Sequence, residues 1–386
     1  MLKRLLLSLS LPLLLASCAQ EPARYQSQTL NSSNKTALRI HNTLPQYAAL
    51  AKEPWAPIQL DRSYLRPGTS DQNIPAIRQR LIKLGDLSAA ATDQSKIYDK
   101  QLAQAMKDFQ FRHGLNPDGN IGANTVNALN ITPSERFAQL EASMKKWATF
   151  PQNEGSRYIL VNTAGYEMNV IERGNKVMDM RIVAGKPSRE TPELFSKVET
   201  IVINPTWNVP NKILKKDIAP KVMADPDYLE KEGIKIYSSW ASNASVIDPT
   251  SIDWSQVSEE GFHYKMTQEP GDLNALGRVK FVFDNSHDVY MHDTPHKELF
   301  SNMQRAFSSG CIRLEQPFKL VEYFIQEDGG LNADQIYSQL ETGKTKYFRL
   351  KNPMPIYITY ITAWVDDKNR PHFREDVYKR DGMNNG

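Results

Sequence analysis

The sequence predicts an α+β chain: a mostly β-sandwich domain carrying an inserted cap subdomain, preceded by a small three-helix domain. Three observations predict it. Apolar residues stand at helical spacing before residue 132: Ile77, Leu81 and Leu84, then Leu102, Met106 and Phe109, each set at i, i+4 and i+7. After Pro151 the pattern changes to short β-rich runs separated by turn residues, the signature of a sandwich. Residues 212–276, of mixed helical and irregular pattern, are too long for a sandwich loop and read as an insertion.

Residues 1–17 read as a signal peptide. Lys3 and Arg4 precede an apolar run from Leu5 to Leu15, too short for a stable transmembrane helix. The run ends in Leu15-Ala16-Ser17-Cys18, which resembles the lipobox of bacterial lipoproteins and implies diacylation of Cys18 and cleavage after Ser17. The alternative is a plain secretory signal with an incidental cysteine. One lipid-bearing residue would hold the chain at a membrane surface without spanning it. Ala19, rather than Asp, points by the sorting rule for such lipoproteins to the outer membrane of a Gram-negative cell, facing the periplasm.

Residues 18–70 form a polar tether and a partly ordered segment, in which Tyr47, Leu50, Trp55 and Leu60 are available for packing. Residues 71–132 are the helical domain. Gly85 stops its first helix, Pro117-Asp118-Gly119 is a turn, and Asn124-Thr125 starts a last short helix with Val126 and Leu129. Residues 133–156 form a connecting helix with Phe137, Leu140, Met144 and Trp147 on one face. Residues 157–383 are the β-rich domain. Strands are expected at 158–161, 166–172, 177–183, 200–204, 279–283 and 289–292, with a hairpin turn at Arg173-Gly174-Asn175. A helix follows from Pro317, and a last β segment at 355–365.

The net charge of +3 is small and its Lys and Arg are dispersed, so nothing suggests nucleic acid. The chain has two cysteines; if Cys18 is lipidated, Cys311 has no partner for a disulfide. Cys311 stands nineteen positions after His292. A thiol becomes a competent nucleophile as a thiolate, and a nearby imidazole is the usual means of making one. Gly310 lets backbone come close to a reacting carbonyl. The bland alternative is a buried cysteine beside an unrelated histidine.

The flanking residues decide between these. His292, Gly310, Cys311 and Ile312 resemble the active-site signature of the YkuD-domain L,D-transpeptidases, over roughly residues 157–381. The fuller wording His292-Asp293-Thr294-Pro295 and Ser308-Ser309-Gly310-Cys311-Ile312-Arg313 resembles the YcbB-like subgroup, as do residues 204–210 and Phe373-Arg374-Glu375-Asp376. Ser309 and Arg313 depart from the broad family, where His and Asn are common, but fit the subgroup. Phe109-Gln110, Gly114-Leu115, Asp118-Gly119, Gly122, Thr125 and Ala128-Leu129 resemble the small peptidoglycan-binding domains, for which a purely spacing role is the alternative.

The resemblance implies that Cys311 attacks the carbonyl after the third residue of a stem peptide, releasing D-alanine and leaving a thioester. A side-chain amine of another stem then resolves it into a 3-3 crosslink. His292 either takes the thiol proton or holds a pre-formed imidazolium–thiolate pair. Its tautomer is fixed by Asp293 or by a backbone carbonyl. The N–H groups of Gly310 and Cys311 are the expected oxyanion donors. Arg313 either pairs with a stem carboxylate or shapes the turn through a salt bridge. Trp207 and Tyr290 wall the cleft or belong to the core, and Ser309 is a further substrate-binding candidate. Peptidoglycan stem peptides are the expected substrate and peptidoglycan synthases are candidate partners; no cofactor or metal is expected.

Three rivals are set against this reading. A zinc site built from His292, Asp293 and His296 needs a helix that Pro295 forbids. A hydrolase would use water as acceptor with the same cysteine and histidine. A non-catalytic peptidoglycan-anchoring lipoprotein would have no need of an unpaired thiol.

Overall fold

The computed structural model describes residues 35–91, 94–150, 157–258 and 262–381. The signal segment, Cys18 and the tether up to residue 34 lie outside them. No helix among the described residues is long and apolar enough to cross a membrane.

The helical half contains α1 (Lys35–Leu50), α2 (Ile74–Leu84), α3 (Lys100–Arg112), α4 (Ala123–Asn130) and α5 (Pro133–Thr149). Local chemistry sets their ends. Gly85 closes α2 at φ 81°, a left-handed conformation that suits glycine. Asp99 caps α3 by accepting from Leu102 N–H at 2.8 Å, and Thr132 with Glu135 forms a capping box on α5.

The three helices expected over residues 71–132 are present as α2, α3 and α4, but a simple self-contained module is not confirmed. Ile40 and Tyr47 of α1 and Leu140 and Met144 of α5 share one core with Ile77, Leu102, Met106 and Phe109. A C-terminal hairpin adds Val365 and Phe373 to it. Three short helices bury too little apolar surface alone, and periodicity marks an apolar face without naming what covers it. Arg112 fastens the pieces: it pairs with buried Asp86 and donates to the Pro371 carbonyl across to the hairpin.

In the second half the strands are β1 (Arg157–Asn162), β2 (Glu167–Glu172), β3 (Asn175–Gly185) and β4 (Leu194–Ile203). The inserted region follows with β5 (Trp207–Asn208), β6 (Ile234–Tyr237) and β7 (Lys265–Gln268). Then come β8 (Val279–Phe283), β9 (Met291–His292), β10 (Ala306–Ser308), β11 (Ile312–Leu314), β12 (Lys346–Thr359), β13 (Ala363–Val365) and β14 (Pro371–Phe373). Two helices, α6 (Pro317–Asp328) and α7 (Ala333–Thr342), separate β11 from β12.

The fold is α+β as expected, but a clean sandwich is not confirmed: the strands form one mixed nine-stranded sheet, β10-β3-β11-β9-β8-β4-β12-β1-β2, with a further β2–β3 pairing that closes it. Closure runs through β3, whose residues 175–181 pair with β2 and whose residues 182–185 pair with β11 and β10. A strand of eleven residues is long enough to serve two neighbours in succession, and strand pattern alone does not encode pairing order. The enclosed core includes Ile159, Val170, Ile182, Ile201, Phe281 and Ile312, covered by Leu320, Val321 and Phe324 of α6 and Ile336 of α7.

The inserted region has its own core, with Leu214, Ile218, Val222, Ile236 and Met266 among its members, beneath the small sheet β5-β7-β6. It leaves and rejoins the main sheet at one place, where Asn204 N–H donates to the Arg278 carbonyl at 2.9 Å.

Candidate active site

The site is built on the face of β8, β9 and β11. In register, Lys280 stands opposite His292, and His292 opposite Arg313. Side chains alternate along a strand, so Tyr290 and Cys311, each two residues earlier, join the same face. The Ile312 N–H donates to the Tyr290 carbonyl at 3.0 Å and fixes this alignment. Cys311 and His292 are thereby diagonal neighbours on adjacent parallel strands.

The loop that presents Cys311 is held from several sides. Ser308 Oγ donates to the Cys311 carbonyl at 2.6 Å and accepts from the Gly310 N–H at 3.1 Å. Thr191 Oγ1 donates to the Gly310 carbonyl at 2.8 Å and accepts from Gly185 N–H at 2.9 Å. Gly310 sits at φ 116°, where other residues are strained. Of the two N–H groups expected to serve an oxyanion, that of Gly310 is thus engaged by Ser308, whereas that of Cys311 donates to no described group.

His292 is buried. Its Nδ1 lies in hydrogen-bond contact with the backbone carbonyl of Asp293, which can only accept, so Nδ1 carries the proton and Nε2 is left as the base. The Asp293 carboxylate is occupied elsewhere, accepting from Arg278 N–H at 2.9 Å and Lys297 Nζ at 2.6 Å. Burial first, and then the positive charges of Arg313, Lys280 and Lys297, push the imidazole down to about 3. Burial pushes the Cys311 thiol up. Both groups are therefore neutral at rest, which favours proton transfer on demand over a standing imidazolium–thiolate pair.

The Tyr290 hydroxyl stands between Trp207 and the sulfur. The Tyr290 hydroxyl accepts from the Trp207 indole and faces Cys311, to which it can donate. Trp207 lies on β5 and packs on the core of the insertion, so the insertion supplies one wall of the site. It is latched to the main sheet by the ion pair of Asp217 with Arg189. Cys311 Sγ itself lies 3.8 Å from the Asp288 carbonyl.

Arg313 forms no ion pair among the described residues, and its buried Nε has no partner there, so of its two alternatives the turn-shaping salt bridge is not seen among them. The Ser309 side chain flanks the loop without a hydrogen bond to a described residue. No group of three or more His, Cys, Asp or Glu among the described residues is placed to hold a metal ion.

Of the two alternatives for fixing the His292 tautomer, the structure has a backbone carbonyl, that of Asp293. Lys280, whose ammonium lies 3.6 Å from the centre of the Tyr290 ring, escaped the sequence reading. Its signal was a charged residue at the even position of a strand whose odd positions, Val279, Phe281 and Phe283, face the core.

Residues 156–358 match a family model described as the L,D-transpeptidase catalytic domain, and residues 70–129 one described as "Putative peptidoglycan binding domain". A Haemophilus influenzae protein named "Putative L,D-transpeptidase" is 34% identical over 223 residues, which are 58% of this chain and 44% of that protein. The chain thus spans under half the length of that curated relative. Among solved structures, an L,D-transpeptidase from Stackebrandtia nassauensis is similar at 12% identity and TM-score 0.29, covering 78% of this chain and 97% of that one. Another from Xylanimonas cellulosilytica has 12% identity and TM-score 0.24, covering 78% and 100%.

Proposed function

The chain belongs to the L,D-transpeptidase catalytic-domain family, and from that premise we propose that it forms 3-3 crosslinks between peptidoglycan stem peptides through a thioester on Cys311. The observation that supports the proposal is the placement of Cys311 diagonal to a histidine whose tautomer leaves Nε2 free, on one face with an arginine that has no ion pair among the described residues.

The Nε2 of His292 takes the thiol proton as Sγ attacks the stem carbonyl. The developing oxyanion is met by the uncommitted Cys311 N–H. The C–N bond breaks, the departing D-alanine takes the proton from Nε2, and the acyl group remains on sulfur. A side-chain amine of a second stem then attacks; its proton passes through His292 to the leaving thiolate. Arg313 receives a stem carboxylate, and Trp207 and Tyr290 line the acyl cleft.

The helical half holds the polymer. A cleft of about 690 Å³ supports this, lined by Gln110, His113, Asp118 and Thr125 together with Gln304 and Arg374 of the other half. Diacylated Cys18 anchors the chain to the periplasmic face of the outer membrane, and peptidoglycan synthases supply donor strands. Incorporation of radiolabelled palmitate in cells, lost in Cys18→Ala, tests the anchor.

The central test is mass analysis of purified disaccharide tetrapeptide incubated with the chain from residue 20, beside Cys311→Ala. Dimers joined through two third-position residues, absent with the variant, are expected. Shortened stems without dimers would replace the transpeptidase with the hydrolase.

A further inference from the structure

Lys280 is the one group on the reactive face with no role in the steps above. It lies half-buried on β8, in register with His292, with its ammonium 3.6 Å from the centre of the Tyr290 ring. It makes no ion pair and no hydrogen bond through Nζ with any described residue. Long cationic side chains in proteins are usually exposed or paired, and leaving an ammonium partly desolvated without an anion is unfavourable. Burial accordingly lowers its proton affinity, opposed by Cys311 in its thiolate form and by Asp288.

The groups facing the sulfur come from three elements. Tyr290 and His292 lie on β9 and its lead-in, Lys280 on β8, and Arg313 on β11, while Asp288 approaches from the turn before β9. Among them the cations with a direct influence on Cys311 are Lys280 and Arg313, with Lys280 the larger. His292, being neutral, supplies no positive charge. Tyr290 joins the two groups physically: its ring carries the ammonium on one face, and its hydroxyl points at Sγ.

We propose that Lys280 is a positioning residue that holds the Tyr290 phenol against Cys311 and supplies the counter-charge for the sulfur anion. The ammonium fixes the ring by cation–π contact. As the proton leaves Sγ for His292, the negative charge on sulfur is met by the Tyr290 hydroxyl and by the ammonium behind it. The same charge is needed again when the thioester is resolved and sulfur departs as thiolate. The proposal rests on the assignment of Cys311 as the reacting thiol, but not on which acceptor resolves the thioester.

The experiment reads the thiol directly. The rate of Cys311 alkylation by iodoacetamide, which follows the thiolate, is measured from pH 6 to 10 in the wild type, Lys280→Met and Lys280→Arg, with thermal unfolding of each as control. Loss of the counter-charge should move the midpoint of Lys280→Met upward by about one pH unit, on the order of a tenfold slower reaction at pH 7. Lys280→Arg should stay near the wild type. Lys280→Gln serves as a second neutral variant if the Met variant does not fold. An unmoved midpoint in the folded neutral variant would overturn the proposal, as would an equal shift in Lys280→Arg. Absence of 3-3 dimers in the crosslinking assay, with the alkylation shift present, would refute crosslinking and leave Lys280 in place.

Discussion

Replacing His292 with Gln should remove a specific acid sensitivity from the catalytic sheet. The imidazole is held near a pKa of about 3 in the folded protein, against an ordinary value of 6.5. Because the folded state binds the proton less well, the unfolded chain carries more protons between those values, and stability falls as pH drops below 6.5. At pH 7 the unfolded imidazole is mostly neutral and the contribution is small. At pH 5 it is protonated about thirtyfold over neutral when unfolded and neutral when folded, which favours unfolding by about 2 kcal/mol. The loss would level off only near pH 3. The measurement is urea unfolding of the catalytic sheet, wild type beside His292→Gln, at pH 7 and pH 5. Two other histidines, His113 and His372, also have lowered proton affinity. The difference between the two proteins cancels them. An acid loss about 2 kcal/mol smaller in the variant is expected. Equal pH dependence in both, or an imidazole resonance of His292 that titrates between pH 6 and 7 in the folded protein, would refute the reasoning.

Gly310→Ala forces a side chain into φ 116°, a strain of about 1–3 kcal/mol; relief by loop movement displaces the Cys311 N–H, so thioester formation, followed by mass spectrometry, should slow at least tenfold in a folded protein. Asp217→Ala leaves buried Arg189 without its carboxylate, and since Asp217 is itself partly exposed the loss should be about 1–3 kcal/mol, seen as faster hydrogen exchange in residues 214–218. Phe373→Ala should destabilise the helical half by about 3–5 kcal/mol by denaturant unfolding while leaving Cys311 alkylation unchanged. Replacing residues 206–276 by a short linker should leave a folded main sheet by circular dichroism with altered turnover, because the insertion has its own core and its ends meet at Asn204 and Arg278.

Local structure was readable wherever a residue's own chemistry decides it. Gly85 ends α2, and Arg173-Gly174 turns β2 into β3 with both residues at positive φ. The pieces that were missed depend on partners distant in sequence. In helix α1 the sequence marks Tyr47 and Leu50 as available for packing but not their partner, which includes Phe373, more than three hundred residues away, at 5.6 Å from Tyr47 between ring centres. Closure of the sheet depends on β3 changing neighbours partway along, which an alternation pattern does not express. At the site the same division holds. Cysteine, histidine and arginine announce themselves by type and spacing, but the group that sets the histidine's tautomer is a main-chain carbonyl, and Lys280 looks like an ordinary solvent-facing strand residue.

The charge balance of the site gives the arrangement its direction. At rest the thiol and imidazole are neutral, while Lys280 and Arg313 are cations without ion-pair partners among the described residues. Two partly desolvated positive charges are an unfavourable resting state. They become favourable when negative charge arrives, whether as a stem carboxylate, as the thiolate formed by proton transfer to Nε2, or as the oxyanion of the tetrahedral intermediate. Interactions stronger in the charged intermediates than in the empty site lower the barrier between them. A pre-formed imidazolium–thiolate pair would spend the same positive field on the free enzyme and expose a reactive sulfur before substrate is bound. On the proposed mechanism, holding His292 neutral avoids that, so that the sulfur would gain its charge when the acyl group is in reach.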